Sequence, residues 1–404
     1  MMISLPANGA RLPAASLIAN LLLTIFMFSI PAKWATVHIA GALIVLALVL
    51  SNRAFWSSPP VESYARYTLL WLIPVLGATF AQHLLQLDTA TPWKEQLTLI
   101  MRILGVGLGL LLMLHKSWVN VRQLGFIVMS CLLIHGVIGI MQWALHPDAS
   151  LAAWRAIRIE GIVGNANPFG FYMALGIVLC AALLRDPSAS RALRATLGAC
   201  AAIFALGILG SGSRGAIIAA SAGMTVLFPP SSPRRIGLYV AVLGSLLLAY
   251  LASNWQVANA HSDGSRTQAL MFSLDAISQR PLTGWGIESF MRIPGHTGIN
   301  SPHNMLADLA LSSGIITLVA FLLALGLVTY RLVLLRTLLS RTLLSLLVAT
   351  FVAGTLEYSV LSSNHFRAPW VLIMALAWHA LATSPARDRR AGSAPNEIKG
   401  AFTS

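Results

Sequence analysis

The chain has 404 residues, 57% of them hydrophobic and only 10% charged, with a formal net charge of +14. Soluble domains carry roughly 25% charged residues, so the composition excludes a water-soluble globule. The positive balance does not argue for nucleic acid, because in so apolar a chain Lys and Arg serve mainly as cytoplasmic anchors of membrane spans.

Apolar runs that approach or reach the ~20 residues needed to cross a bilayer recur along the whole sequence. Backbone in hydrocarbon must satisfy its own hydrogen bonds, and no alternation of short strands suggests a barrel. The expected fold is therefore an all-α polytopic membrane protein with about 12 transmembrane helices. In chain order the spans are predicted at roughly 12–30, 34–50, 64–86, 97–114, 119–145, 168–184, 195–210, 214–228, 236–252, 304–330, 342–360 and 367–383. The first follows Arg11, exceeds the usual length of a signal-peptide core and is followed at once by another, so it reads as uncleaved. An even number of spans puts both termini on one side. Placing them in the cytoplasm leaves most of the 27 Lys and Arg on that side, as the positive-inside rule requires. Residues 1–383 read as a single transmembrane catalytic domain, and 384–404 as a basic, cytoplasmic tail predicted to be disordered. Cys131, Cys180 and Cys200 fall inside spans, so no disulfide framework, metal centre or other cofactor is expected.

Two outer loops are long, at about 146–167 and 253–303, the second lying between spans 9 and 10, and long loops among short ones tend to carry function. Within the second, Leu270, Met271, Leu274 and Ile277 have the spacing of an amphipathic helix on the membrane surface. Four helix starts gather on this face. Asn167-Pro168 opens the sixth span and Ser301-Pro302 the tenth, each with a capping residue before a proline. Ser213 caps the eighth span before Arg214, and Ser265 caps the loop helix before Arg266.

Helix N-termini attract phosphate, and guanidinium groups bind its oxygens bidentately. Arg214 and Arg266 are thus the leading anion-binding candidates, with Arg155 and Arg158 in weaker context and Gly212 and Gly215 permitting close approach. A snorkelling anchor is the plainer account of Arg214, but the positive-inside rule leaves few arginines on the outer face. His303 stands beside Asn304 in what reads as a first helical turn. A neutral imidazole near an arginine-lined anion site is what general-base activation of a hydroxyl requires.

The outer acids Asp148, Glu160, Asp263, Asp275 and Glu288 form no Asp-x-Asp metal motif, and Glu160 is the one assigned to the site. Trp285, Phe290, Trp255 and Phe169 are candidates for lining a lipid or sugar path, with an interfacial belt as the simpler alternative. His135, Arg102 and Asp308 are the main ionisable residues deep in spans and form no evident relay.

Several motifs now fall in a fixed order: GlyIleValGlyAsnAlaAsnProPheGly at 161–170, GlySerArgGly at 212–215, SerArg at 265–266, ProLeuThrGlyTrpGlyIleGluSerPhe at 281–290 and SerProHisAsn at 301–304. This set resembles the O-antigen ligases of Gram-negative bacteria, within the O-antigen ligase/polymerase superfamily. The specific signal covers residues 160–320. The resemblance implies a GT-C-like fold and a metal-independent, inverting glycosyltransferase. It would move O-antigen polysaccharide from undecaprenyl pyrophosphate to a sugar hydroxyl of lipid A–core. Arg214 and Arg266 match the family's functional arginines and His303 its histidine. Arg158, Glu160, Asn165, Asn167, Ser213 and Asn304 are assigned to substrate binding. The implied setting is the inner membrane with the active site periplasmic. The partners are then the lipid-linked donor, the lipid A–core acceptor and membrane lipids, and nucleic acid is not among them. An O-antigen polymerase, a protein O-oligosaccharyltransferase and, more distantly, a transporter are the alternatives.

Overall fold

The computed structural model describes residues 14–29, 42–43, 49–146, 158–228, 259–296, 301–357 and 359–383. The spans expected at 34–50 and 236–252 fall largely or wholly outside these residues, as do the tail, Arg155 and Trp255. The described chain is helical: α1 Ala14–Ser29, α2 Pro59–Leu84, α3 Trp93–His115 with a π-helical turn at Met101–Gly105, and α4 Val121–Ala144. There follow α5 Ala166–Leu184, α6 Arg191–Ser211, α7 Arg214–Leu227 and α8 Asn259–Gln279. The last three are α9 Met305–Leu335, α10 Leu338–Leu356 and α11 Asn364–Thr383. Eight of these (α2–α6 and α9–α11) are long and apolar enough to cross a membrane. The protein is thus all-α with multiple membrane-spanning helices. Helix α7, at 14 residues, is about 21 Å long and falls short of a full crossing.

Local capping explains most boundaries and corrects three expectations. Ser213 caps α7 as expected, its hydroxyl accepting from Ala216 N at 3.3 Å. Helix α5 is capped by Asn165 rather than Asn167, so Pro168 falls in the first turn, where its missing N–H would have had no helical partner. Helix α9 is capped by Asn304 rather than Ser301. Asn304 Oδ1 accepts from both Leu306 N (2.9 Å) and Ala307 N (3.0 Å), two donors satisfied by one cap. Helix α8 starts at Asn259, so Ser265 lies inside it rather than at its start; the weak helix formers ahead of Ser265 are overridden, as propensity often is.

Antiparallel packing brings the starts of α5, α7, α9 and α11 to one end of the bundle, with the ends of α2, α4, α6 and α10. Helix α7 packs against α10 through small residues: a Cβ on Gly223 would lie 3.0 Å from Ser345 O and 3.1 Å from Ala349 Cβ. Close backbone approach of this kind is a main source of cohesion between helices in lipid.

Helix α9 is broken. Gly314 has φ 83° and ψ 168°, which interrupts the hydrogen-bond ladder at a depth where an unpaired backbone group costs several kcal/mol. The loop before α9 fills the break. Trp285 N donates to Leu311 O (2.7 Å), Gly286 N to Ser312 O (3.0 Å), and Ile315 N to Pro281 O (2.7 Å). Gln82 of α2 adds bonds from Nε2 to Thr283 O (2.7 Å) and Ser312 O (3.1 Å). Gly284, Gly286 and Gly314 all have positive φ; a Cβ on Gly284 or Gly314 would overlap backbone atoms across this joint, and one on Gly286 would overlap Thr89 O in the loop after α2. The ProLeuThrGlyTrpGly run is therefore a clamp on the outer half of α9.

Gly314→Ala should lower stability by about 3 kcal/mol or more, seen as a fall in thermal unfolding temperature in detergent. Gly326→Ala, further along the same helix with no atom within 4 Å of the new Cβ, should be neutral or slightly stabilising.

Candidate functional site

At the end of the bundle where these helix starts meet, two polar clusters adjoin. The first is built around the turn between α6 and α7. Gly212 adopts a left-handed φ of 60° as the C-cap of α6, a conformation suited to glycine, and Ser213 then caps α7. Arg158 Nε donates to Ser211 O at 2.7 Å, and its guanidinium also bonds Asn167 Oδ1. Asn165 Oδ1 accepts from Asn167 N at 3.0 Å. Arg158, Asn165 and Asn167 thus tie the end of α6 to the start of α5. Arg158 spends its Nε and one Nη on that joint, so it is not an open anion ligand in full. Glu160 is exposed beside it, without a hydrogen bond among the described residues.

The second cluster centres on Glu357, the C-cap residue of α10. Its Oε1 forms an ion pair with Arg266 Nη2, and its Oε2 lies 3.5 Å from His303 Nδ1. The Glu357 side chain is 5% exposed, whereas Arg266 and His303 are 33% and 32% exposed. One buried carboxylate therefore backs two side chains that face accessible space. Asn304, next to His303, reaches the same corner by donating from Nδ2 to Thr355 O at 3.0 Å. His303 precedes the helix cap instead of occupying the first turn, and it has φ 50°. That is a costly conformation for a residue with a side chain, of the kind that concentrates at functional sites.

Gly215 joins the clusters: a Cβ there would lie 3.6 Å from both Glu357 Cγ and Leu356 Cβ. The first turn of α7, and with it Arg214, therefore sits against Glu357. The carboxylate also meets the favourable, positive end of the α7 dipole. Among the described residues no group of three His, Cys, Asp or Glu is placed to hold a metal ion.

Arg214, Arg266, His303, Asn304 and Ser213 are thus gathered, with Arg158, Asn165 and Asn167 at one flank. The aromatic path is not formed by the residues expected for it. Phe169 is fully buried, and Trp285 and Phe290 are 5% exposed. Trp285 Nε1 donates to Ala276 O at 2.7 Å and its ring lies 3.8 Å under the Arg280 guanidinium. Trp285 and Phe290 are packing residues because the loop carrying them folds onto α8 and α9 instead of standing in the interface, and Phe169 packs from α5 against Gly139 of α4 and Gly207 of α6.

Glu357 was missed by reading acids only in the long loops. It lies within the predicted span 342–360, and a lone carboxylate at the end of an apolar run was the available signal, since ionisable residues in spans are seldom there for packing.

The fold and this corner describe a polytopic helical membrane protein with a charged site at one end of its bundle. Residues 199–322 match the family model described as O-antigen ligase. This stretch runs from α6 into α9 and includes Arg214, Arg266 and His303, so the chain carries an O-antigen ligase family domain. A comparison with curated proteins finds no match.

The buried carboxylate makes the ion pair asymmetric. Arg266→Ala strands Glu357 and should cost about 3 kcal/mol, measured by thermal or denaturant unfolding in detergent. In a Glu357→Gln background the same change should cost less than about 1 kcal/mol.

Proposed function

We propose that the protein is an O-antigen ligase, transferring polysaccharide from undecaprenyl pyrophosphate to a sugar hydroxyl of lipid A–core. The observation that carries this reading is the single carboxylate, Glu357, that backs both Arg266 and His303 beside the start of α7. A pyrophosphate leaving group needs fixed positive charge where negative charge develops, and Arg214, Arg266 and the α7 N-terminus supply it. Arg266 has donors beyond the one paired with Glu357, so it can bind the diphosphate while remaining anchored. With Glu357 at Nδ1, the other ring nitrogen of His303 takes the proton from the acceptor hydroxyl. The 3.5 Å approach is the kind of loose contact that tightens when substrate binds. The acceptor oxygen attacks the anomeric carbon as the bond to the pyrophosphate oxygen breaks and the electron pair leaves with the diphosphate. Attack opposite the leaving group inverts the anomeric centre. The arginines do the work often given to a divalent cation, and the proposed reaction is metal-independent.

Ser213 and Asn304 act as the caps that fix the two helix starts, while Asn165, Asn167, Arg158 and Glu160 border the donor glycan. The cationic ends of the helices support a periplasmic site in an inner-membrane protein. Arg66, Lys116, Arg122, Arg194, Arg331 and Arg341 lie at or near helix ends opposite the site, as expected for a cytoplasmic face. A broken helix such as α9 would suit a transporter, but here the break is filled by the 281–286 clamp and Gln82.

Purified protein given undecaprenyl-pyrophosphate-linked glycan and lipid A–core, with chelator present, should label the core. Growth of the lipid-linked glycan would instead identify a polymerase. His303→Ala should lower turnover by ~10²–10⁴-fold with donor binding largely kept. Arg214→Ala and Arg266→Ala should each weaken donor binding by roughly ten-fold or more. Full transfer by His303→Ala would sink the base assignment.

A further inference from the structure

An acid and a base inside the bundle have no part in the reaction as described. Asp308 and Arg367 are each 4% exposed, and a charge at that depth is costly unless it is held for a purpose. They lie within electrostatic reach of each other and of Glu288. What they hold is the connection between α10 and α11, the segment that begins with Glu357.

The contacts divide along that segment. The Asp308 carboxylate accepts from Ser362 Oγ at 3.1 Å, with Ser359 within its electrostatic reach. Arg367 Nε donates to Val360 O at 2.7 Å, and its Nη2 to Leu361 O. Three successive residues, 360–362, are thus each bonded to one of the two charges. The segment also closes on itself through Leu361 N to Ser359 Oγ (3.1 Å) and Ser363 N to Ser359 O (3.0 Å). At its start Glu357 has φ −149° and ψ −41°, outside the helical range, so where its carboxylate points depends on where the following residues are fixed. Asp308 lies one turn after Asn304 on α9. The first turns of α9 therefore hold both ends of the connection, Asn304 at Thr355 O (3.0 Å) and Asp308 at Ser362.

We propose that Asp308 and Arg367 are positioning residues: by gripping 360–362 from two sides they set the Glu357 carboxylate against Arg266 and His303. An apolar pair in this corner would leave Val360 O and Leu361 O without their donor. It would also not hold the Ser362 hydroxyl and these carbonyls in fixed directions, and a site tolerates displacements of only about 0.5 Å. The inference rests on the proposed transfer for its kinetic part and on the Glu357–His303 contact alone for its structural part.

The test compares Asp308→Ala, Asp308→Asn and Glu357→Gln, singly and with Glu357→Gln combined with Asp308→Ala. Two quantities are read in the full-length protein. One is kcat and donor KM for transfer. The other, which needs no substrate, is the ring ¹⁵N signal of His303 in histidine-labelled protein, assigned by its loss in His303→Gln. Asp308→Ala should lower kcat by roughly 10–100-fold with KM changed less than about three-fold. Asp308→Asn should restore part of the rate, because an amide oxygen still accepts from Ser362. In the Glu357→Gln background Asp308→Ala should add less than about two-fold, since the same geometry is already lost. The His303 signal should move in Asp308→Ala in the direction it moves in Glu357→Gln.

An equal kcat loss in both backgrounds, or an unmoved His303 signal, overturns the proposal. Absence of transfer by the wild-type protein would remove the functional reading while the His303 signal still decides the positioning claim. Should Asp308→Ala not fold, Ser362→Ala removes the same bond and is read in the same way.

Discussion

A carboxylate buried at the end of a membrane-spanning helix has to be neutralised by whatever lies around it, and Glu357 draws its surroundings from three other stretches of chain. Arg266 comes from α8, His303 from the turn before α9, the first turn of α7 closes against its side chain, and α10 delivers the carboxylate itself. Taking a charge out of water costs several kcal/mol unless partners return it. That constraint obliges these elements to meet at one point. The outward-facing groups inherit their positions from the buried one: Arg266 and His303 are each about one-third exposed because the atom that anchors them is not.

Rigidity in this corner has a second source in the broken helix. The outer half of α9 carries Asn304 and Asp308, and it is held apart from the inner half by the inserted 281–286 loop. Breaks in membrane helices often open a binding site among unwound carbonyls. In this bundle those carbonyls are closed by backbone donors from the loop and by Gln82, which turns a place of potential motion into a fixed platform. Such preorganisation suits the proposed reaction, in which electrostatic stabilisation depends on donors that need not rearrange as charge develops.

The sequence made the membrane class, most helix positions and the gathering of helix starts legible, because each rests on local patterns of hydropathy and capping. Ser213 and Arg214 were readable in this way, and so were Arg266 and His303 through the order of their motifs. The caps at Asn165 and Asn304 were missed by two or three residues, since proline and serine nearby offered equally good local chemistry and only tertiary placement selects between them. Glu357 and the grip of Asp308 and Arg367 on the α10–α11 connection were not legible. The Glu357 and Asp308 contacts join residues 50 or more positions apart, the Arg367 bonds reach back six and seven residues across an irregular turn, and a single acid in an apolar run carries no partner's address. The glycines at 284 and 314 showed a motif but not its use, which is backbone meeting backbone across the break in α9.

The Gln82 bonds into that break span 201 and 230 positions of sequence, and this distance bears on biogenesis. A ribosome delivers α2 long before α9, and contacts between such distant residues form late because the intervening chain must first be ordered. The outer half of α9 has no settled backbone until α2 and the 281–286 loop are both in place, and Glu357 is delivered later still. Arg214, Arg266 and His303 therefore reach the membrane without the carboxylate that organises them. The charged corner closes only once the bundle around it is assembled, so a partly inserted chain carries the residues of the site but not the site.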